Sequence, residues 1–191
     1  MAKDGKAAAR GKQERLVSAA VELAHRQGYR KTTLADLAEA AQVPLGNVYY
    51  YFKTKDDIGE AIVQHRESEF EAMRAHLDGL PTPKARLVAF VDMTMRNAAT
   101  VAKHGCPMGS LCAELLKDGG QLAERSNALF AKPMDWMERQ FSALGYADAA
   151  ADLTLQLQSS LQGASLMTQS FRDPALLERE GRRLKSWIEA L

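Results

Sequence analysis

Apolar side chains recur at helical spacing in three segments near the N-terminus. The first segment predicts a helix from Arg10 to about Gln27, and Gly28 follows at the position where a helix-ending glycine is favoured. The apolar face of this helix consists of Leu16, Ala20, Leu23 and Ala24. The preceding residues 1–9 are rich in Lys, Gly and Ala, so we expect them to become ordered only on binding.

Two shorter helices are predicted next, joined by a tight turn. Thr33 and Asp36 have the spacing of a capping box at the start of the second helix, and Pro44 pre-sets the backbone for a third helix over 45–51. Thr54 and Asp57 repeat the capping pattern and begin a long fourth helix, from near residue 55 towards residue 76. A bracing helix followed by two short helices and a tight turn is typical of a helix-turn-helix, whose second short helix enters the major groove of DNA.

The remaining chain also has helical spacing, interrupted by glycine and proline. It predicts helices over 84–103, 108–117, 120–143, 147–169 and 174–190, about nine in all. Ala, Leu, Glu, Lys, Arg and Gln are abundant, which favours helix almost throughout. We therefore predict an all-α protein. Residues 1–55 form a three-helix DNA-binding helix-turn-helix domain with a basic tail, and 56–191 a larger helical domain.

Charge is distributed unevenly along the chain. Residues 1–55 contain ten basic and five acidic residues, whereas residues 56–191 contain fifteen basic and nineteen acidic ones. A basic N-terminal part suits attachment of that end to a polyanion. Charge alone also fits a solvated basic tail.

The third helix contains Asn47 and three consecutive tyrosines, Tyr49, Tyr50 and Tyr51. Tyrosine rings can pack in a small core while their hydroxyl groups reach phosphates or base edges. We favour DNA contact for Tyr51 and packing for Tyr50, and for Tyr49 both interpretations stay open.

The segment from Thr32 to Lys55, TTLADLAEAAQVPLGNVYYYFKTK, resembles the DNA-binding signature of TetR-family regulators. The resemblance extends over roughly residues 10–60. It implies that Lys55 binds phosphate and that Ala35 replaces a base-reading Arg found in some members. The residues that it places at the DNA are Thr33, Leu45, Gly46, Asn47, Tyr49, Tyr51, Lys53 and Lys55.

The same resemblance implies a homodimer that binds a palindromic double-stranded DNA operator and a small-molecule effector. The last two helices would pair with their copies in a four-helix bundle. The candidate apolar seam is Leu153, Leu157, Leu161, Leu176, Leu177, Leu184, Trp187 and Ile188, although the same residues suit a core of their own chain.

Methionine and aromatic residues are frequent in the central helices, and methionine adapts to irregular pockets. Most of these side chains fit an ordinary core, and about a third are predicted to line an effector cavity. The residues assigned to that pocket are Met93, Cys106, Met108, Phe130, Met134, Met137 and Met167.

The segment Gly105-Cys106-Pro107-Met108-Gly109-Ser110-Leu111 is the most distinctive part of the second domain. Because Pro107 favours a first helical position, the Cys106 sulfur is expected at a helix N-terminus, where a thiolate is stabilised. The pattern is similar to one in a subgroup of TetR-type repressors, some of which respond to electrophiles or oxidants. A buried, unreactive cysteine is the alternative.

Other function classes find little support in the sequence. The four histidines lack metal-ligand spacing, and no nucleophile, acid–base pair or cofactor motif is apparent, so we predict no catalytic site, no metal and no cofactor. No apolar run reaches bilayer length, which predicts a soluble cytoplasmic protein with no membrane partner. An architectural DNA-binding protein would not need the large second domain, and effector-dependent loss of DNA binding would separate the two classes.

Overall fold

A computed structural model describes residues 2–191, with side chains from residue 11 onwards. The described chain is all-α, with an N-terminal helix-turn-helix followed by a helical C-terminal part, as the sequence predicts. Its helices are α1 (Ala2–Gln27), α2 (Leu34–Ala40), α3 (Leu45–Tyr51), α4 (Lys55–Asp78), α5 (Pro83–Met95), α6 (Ala98–His104), α7 (Pro107–Asp118), α8 (Gly120–Ser126), α9 (Ala128–Ala143), α10 (Ala150–Phe171) and α11 (Pro174–Ala190), with a 3₁₀ turn at Ala147–Ala149.

Helix α1 begins at Ala2, earlier than the predicted Arg10. The expectation that residues 1–9 become ordered only on binding falls on residues whose side chains lie outside the described part of the chain, and it stays a prediction. The side chains of the basic tail, and Met1, lie outside what the structure describes.

Two segments predicted as single helices are each divided in two. Between α5 and α6, the Asn97 side chain donates to the Met93 carbonyl, and its backbone leaves the helical region. Between α8 and α9, the Ser126 hydroxyl donates to the Ala123 carbonyl. In both places a short polar side chain competes with the helix for a backbone acceptor, and neither a glycine nor a proline marks the break.

The chain forms two compact units. The first comprises Met1–Glu67 and Ser110–Asn127, and the second comprises Ser68–Gly109 and Ala128–Leu191. The sequence predicts a domain boundary after residue 55, and this boundary stays a prediction. The compact units instead place residues 56–67 and 110–127 with the N-terminal helices. Helices α4 and α7 each begin in one unit and end in the other.

In the first unit, α2 packs against α1 and α3. Leu16, Leu37 and Val48, one from each helix, are fully buried. Both predicted capping boxes are present. Asp36 donates its amide to the Thr33 hydroxyl and accepts the Thr33 amide, and Asp57 does the same with Thr54.

In the second unit, α5, α9, α10 and α11 surround an apolar core. Trp136 and Phe141 of α9 are completely buried there, and the Trp136 indole N–H donates to Asp78 at 2.8 Å. A smaller apolar cluster joins Ala98 and Val101 of α6 to Leu177 of α11.

Candidate DNA-binding interface

Helix α3 presents its tyrosines to solvent in a clear angular order. Val48 is fully buried, and successive residues of a helix are about 100° apart, so Tyr50 lies on the opposite side from Val48. Tyr50 is 73% exposed and Tyr49 is 51% exposed, whereas Tyr51 is half-buried. The interpretation of Tyr50 as a packing residue is wrong, because the core-facing side of α3 is already occupied by Val48 and Phe52.

The end of α3 is held by a lysine. The Lys53 ammonium donates to the Tyr49 carbonyl at 2.7 Å and lies 5.8 Å from the centre of the Tyr50 ring. The rings of Tyr50 and Tyr51 meet edge to face, with centroids 5.1 Å apart. These contacts orient the exposed aromatic surface of the helix.

The first residues of α3 are also accessible. Leu45 and Gly46 are exposed and Asn47 is half-buried. Thr33, at the start of α2, is exposed, and its hydroxyl is engaged as the N-cap acceptor. The structure thus brings the predicted α3 residues onto one short helix, and their contact with DNA stays a prediction.

Asp36 and Asp57 keep the starts of α2 and α4 in place. Hydrogen bonds from the Thr33 backbone and side chain hold the pKa of Asp36 below its ordinary value. Amide donation from Thr54 and Lys53 lowers the pKa of Asp57 in the same way. Both carboxylates are therefore charged acceptors near neutral pH, which is the state that caps a helix best.

Lys55 is exposed but attached to the loop after α1. Its ammonium donates to the Arg30 carbonyl and lies 5.1 Å from the centre of the Tyr29 ring, while the Tyr29 hydroxyl donates to the Lys55 carbonyl at 2.8 Å. Burial of Tyr29, followed by the charges of Asp56 and Asp118, raises the pKa of its hydroxyl. Two hydrogen bonds, one donated by Lys55 and one donated by Tyr29, therefore connect the start of α4 to this loop.

The residues assigned to the effector pocket divide into several environments. Met137 is fully buried in the core of the second unit, with Met93 and Met134 packed against the same core. Met108 and Phe130 are half-buried, whereas Met167 is exposed, because the buried face of α10 is formed by other residues, among them Leu161 and Thr168. A shared pocket stays a prediction.

Cys106 occupies the N-cap position of α7, directly before Pro107. Its sulfur accepts the Gly109 amide hydrogen at an N–S distance of 3.4 Å. Gly105 has a φ of 81° and a ψ of −178°, a conformation that glycine adopts easily. A Cβ added to Gly109 would lie 2.8 Å from Gln162 Oε1, the movable end of a flexible side chain.

Cys112 is in a different environment. It is buried in the first unit, and its thiol donates to the Ser126 carbonyl at an S–O distance of 3.4 Å. Both cysteines are free, and Cys106 is the more exposed of the two.

Most of the residues named for the intersubunit seam face the core of their own chain. Leu157, Leu161, Leu177, Leu184 and Ile188 are buried in the second unit, which is the alternative that the sequence left open. On α10 the exposed apolar residues are Leu155, Leu166, Met167 and Phe171. Both faces of α10 carry leucine, so the periodic pattern does not distinguish them.

Residues 16–62 match the family model described as bacterial regulatory proteins, tetR family. Transcriptional regulator AcuR of Cereibacter sphaeroides is 30% identical over 142 residues, which cover 73% of this chain and 64% of AcuR. This chain therefore spans slightly less than two thirds of that relative. The HTH-type transcriptional repressor NemR of Escherichia coli K12 is 25% identical over 113 residues, covering 58% of this chain and 55% of NemR.

Solved structures have the same fold. A TetR transcriptional regulator from Legionella pneumophila has a TM-score of 0.82 at 19% identity, covering 93% of this chain and 95% of its own. The reduced form of E. coli NemR has a TM-score of 0.78 at 20% identity, covering 92% and 95%. Within the described residues, no helix combines the length and apolar character needed to cross a bilayer.

Proposed function

We propose that this chain, whose residues 16–62 match the family model of tetR-type bacterial regulatory proteins, is a transcriptional repressor that binds a palindromic operator as a homodimer. Release follows modification of Cys106 or binding of a small molecule in the second unit. The observation that carries the proposal is the exposed tyrosine surface of α3 within the matched residues. The protein acts as a cytoplasmic regulator rather than an enzyme.

DNA contact is assigned to α3 and to the residues next to it. Leu45, Gly46 and Asn47 begin the helix that enters the major groove, and the tyrosine hydroxyls reach base edges or phosphates. Thr33, Lys53 and Lys55 contact the backbone. Tyr50, which the sequence interpretation assigned to packing, joins this set because its ring is the most exposed of the three.

An operator selected from a random duplex pool tests the proposal. The expected product is a palindrome with half-sites separated by about one helical turn, 34–36 Å. Tyr50→Phe is expected to bind the selected operator about fivefold more weakly, the effect of one lost hydrogen bond, with the fold retained. Fluorescence anisotropy at fixed salt measures the change.

Tyr146→Phe is the matched control, because its hydroxyl donates to the Leu191 carbonyl in the second unit. Equal operator affinity for Tyr50→Phe and the parent would remove the Tyr50 hydroxyl from the interface. A pool that yields no enriched sequence would contradict operator binding itself.

An exposed stripe on α10 supports assembly of two copies. Leu155, Ser159, Gly163 and Leu166 lie within about 80° around the helix, whereas the exposed Phe171 at the end of α10 lies about 140° from Leu166. A Cβ added to Gly163 would meet no atom within 4 Å. Small side chains between large apolar ones allow the α10 helices of two copies to approach closely while burying apolar area.

The geometry at Cys106 supports a thiol trigger. The sulfur is half-buried and accepts the Gly109 amide in the first turn of α7. Addition of the thiolate to an activated alkene forms a C–S bond, and the neighbouring carbon takes up a proton. The new substituent adds bulk beside the first turn of α7, where the sulfur accepts the Gly109 amide.

Treatment with N-ethylmaleimide is expected to lower the operator affinity of the parent at least about tenfold, a typical allosteric coupling. Cys106→Ser should bind the operator normally and resist release. Cys112→Ser, which removes the buried thiol, should still respond. Anisotropy measures release, and mass spectrometry is expected to find the first adduct on Cys106.

If N-ethylmaleimide releases the Cys106→Ser variant from the operator to the same extent as the parent, modification of Cys106 is not the trigger. Reversible binding of an apolar ligand near Met93, Met134 and Met137 would then be the preferred mechanism.

A further inference from the structure

The segment Ser110–Asn127 belongs to the same compact unit as the helix-turn-helix. It consists of most of α7 and the short helix α8, which lie far along the chain from α1–α3. Its polar contacts with the N-terminal residues are specific and involve several charged groups. These contacts are made by Glu114, Asp118 and Arg125.

Glu114 of α7 accepts two backbone amides of the loop that follows α1. Its Oε1 accepts the Tyr29 amide at 3.3 Å, and its Oε2 accepts the Arg30 amide at 2.9 Å. Gly28 begins this loop with a φ of 96°, and a Cβ there would lie only 3.0 Å from Glu114 Oε1. Gly28 is therefore favoured by its backbone conformation, and a Cβ there would need a small shift of the carboxylate.

Arg30 adds a second contact between the loop and α7. Its Nε donates to Asp118 Oδ2 at 3.2 Å, and its NH2 group donates to the other Asp118 oxygen. The Arg30 carbonyl in turn accepts the Lys55 ammonium. The loop before α2 is thus held on one side by α7 and on the other by the start of α4.

Helix α8 holds the first part of α4 in a similar way. The Arg125 guanidinium donates to both carboxylate oxygens of buried Glu67, and its Nε lies 3.2 Å from Glu60. A Cβ on Gly59 would overlap the Leu122 side chain, so α8 also packs closely on this helix.

We propose that Glu114 is a positioning residue for DNA recognition, which holds the loop at Tyr29 and Arg30 so that α2 and α3 adopt their DNA-binding placement. The inference rests on the proposed function. Loss of the carboxylate's contacts with the Tyr29 and Arg30 amides lowers operator affinity.

Glu114→Ala tests the proposal with two readouts. Hydrogen exchange at the Tyr29 and Arg30 amides should accelerate, because both lose their acceptor. Operator affinity should fall about tenfold, whereas affinity for a scrambled duplex, which depends on phosphate contacts, should stay unchanged. Glu114→Gln retains the length of the side chain but offers one oxygen in place of two, so its effect should lie between those of the parent and Glu114→Ala.

Glu124→Gln is the matched control, since it removes the same charge from an exposed position of α8. The proposal is supported if amide exchange and operator affinity both change in Glu114→Ala while neither changes in Glu124→Gln. Operator affinity equal to the parent's in Glu114→Ala, despite faster amide exchange, would overturn it. A parent chain that does not distinguish operator from scrambled duplex would instead overturn the proposed function.

Discussion

A chain carrying Leu155→Glu and Leu166→Glu is expected to be a folded monomer with at least about 100-fold lower operator affinity. The two side chains are 56% and 58% exposed on α10, so the substitutions leave the core of the chain intact. In a dimer, each glutamate would face the apolar stripe or the glutamates of the partner. A monomer engages one half-site only and loses the gain of simultaneous binding, which is typically 100-fold or more. Sedimentation equilibrium and anisotropy measure the two effects.

Leu116→Glu is the control for this experiment. Leu116 of α7 and Leu155 of α10 are equally exposed, at 56% each, but Leu116 lies outside the proposed dimer face. The Leu116→Glu variant should remain dimeric. A double variant that sediments as a dimer would exclude this stripe as the interface. Point substitutions are preferable to removal of α11, because Leu177, Leu184 and Ile188 belong to the core of the second unit.

Trp136→Ala is expected to lower the free energy of unfolding by about 3–5 kcal/mol. The indole is almost completely buried, its ring centroid lies 5.8 Å from that of Phe90, and its N–H donates to Asp78. Truncation removes the apolar contact and leaves a cavity that the four surrounding helices fill only in part. Urea unfolding followed by circular dichroism measures the loss.

Trp136→Phe keeps most of the packing and leaves a smaller cavity than alanine. It keeps an aromatic ring in the core and removes the indole donor, and Asp78 is exposed and can bind water in its place. A loss of about 1 kcal/mol is expected for this variant. If Trp136→Ala cost no more than Trp136→Phe, packing around the indole would not be the main stabilising contribution.

The helix starts and ends that the sequence predicted correctly depend on residues close together in the chain. The Thr33–Asp36 and Thr54–Asp57 capping pairs and the helix end at Gly28 each depend on residues within one turn, and all three are present. The helix-turn-helix follows from these signals together with the apolar spacing of α1 and α2. Its DNA-facing residues came from a family resemblance, and their roles remain predictions.

Long-range packing explains what the sequence did not predict. Glu114 and Tyr29 are 85 residues apart, and nothing near either residue indicates that α7 lies in the same unit as the helix-turn-helix. The two apolar faces of α10 have similar residues, so the choice between core and surface depends on neighbouring helices. The position of Tyr50 was predictable, because its angle from Val48 already places it opposite the buried side.

The hydrogen bonds of Glu114 end on main-chain amides, and this has a consequence for sequence variation in the loop. Every amino acid except proline supplies such a donor, so residues 29 and 30 can change without loss of the Glu114 contact. Gly28 cannot change as freely, because its positive φ disfavours a side chain. Relatives that retain this coupling are therefore expected to share an acidic residue on α7 and a glycine before the loop, whereas the side chains at 29 and 30 are constrained only by their own contacts with Lys55 and Asp118.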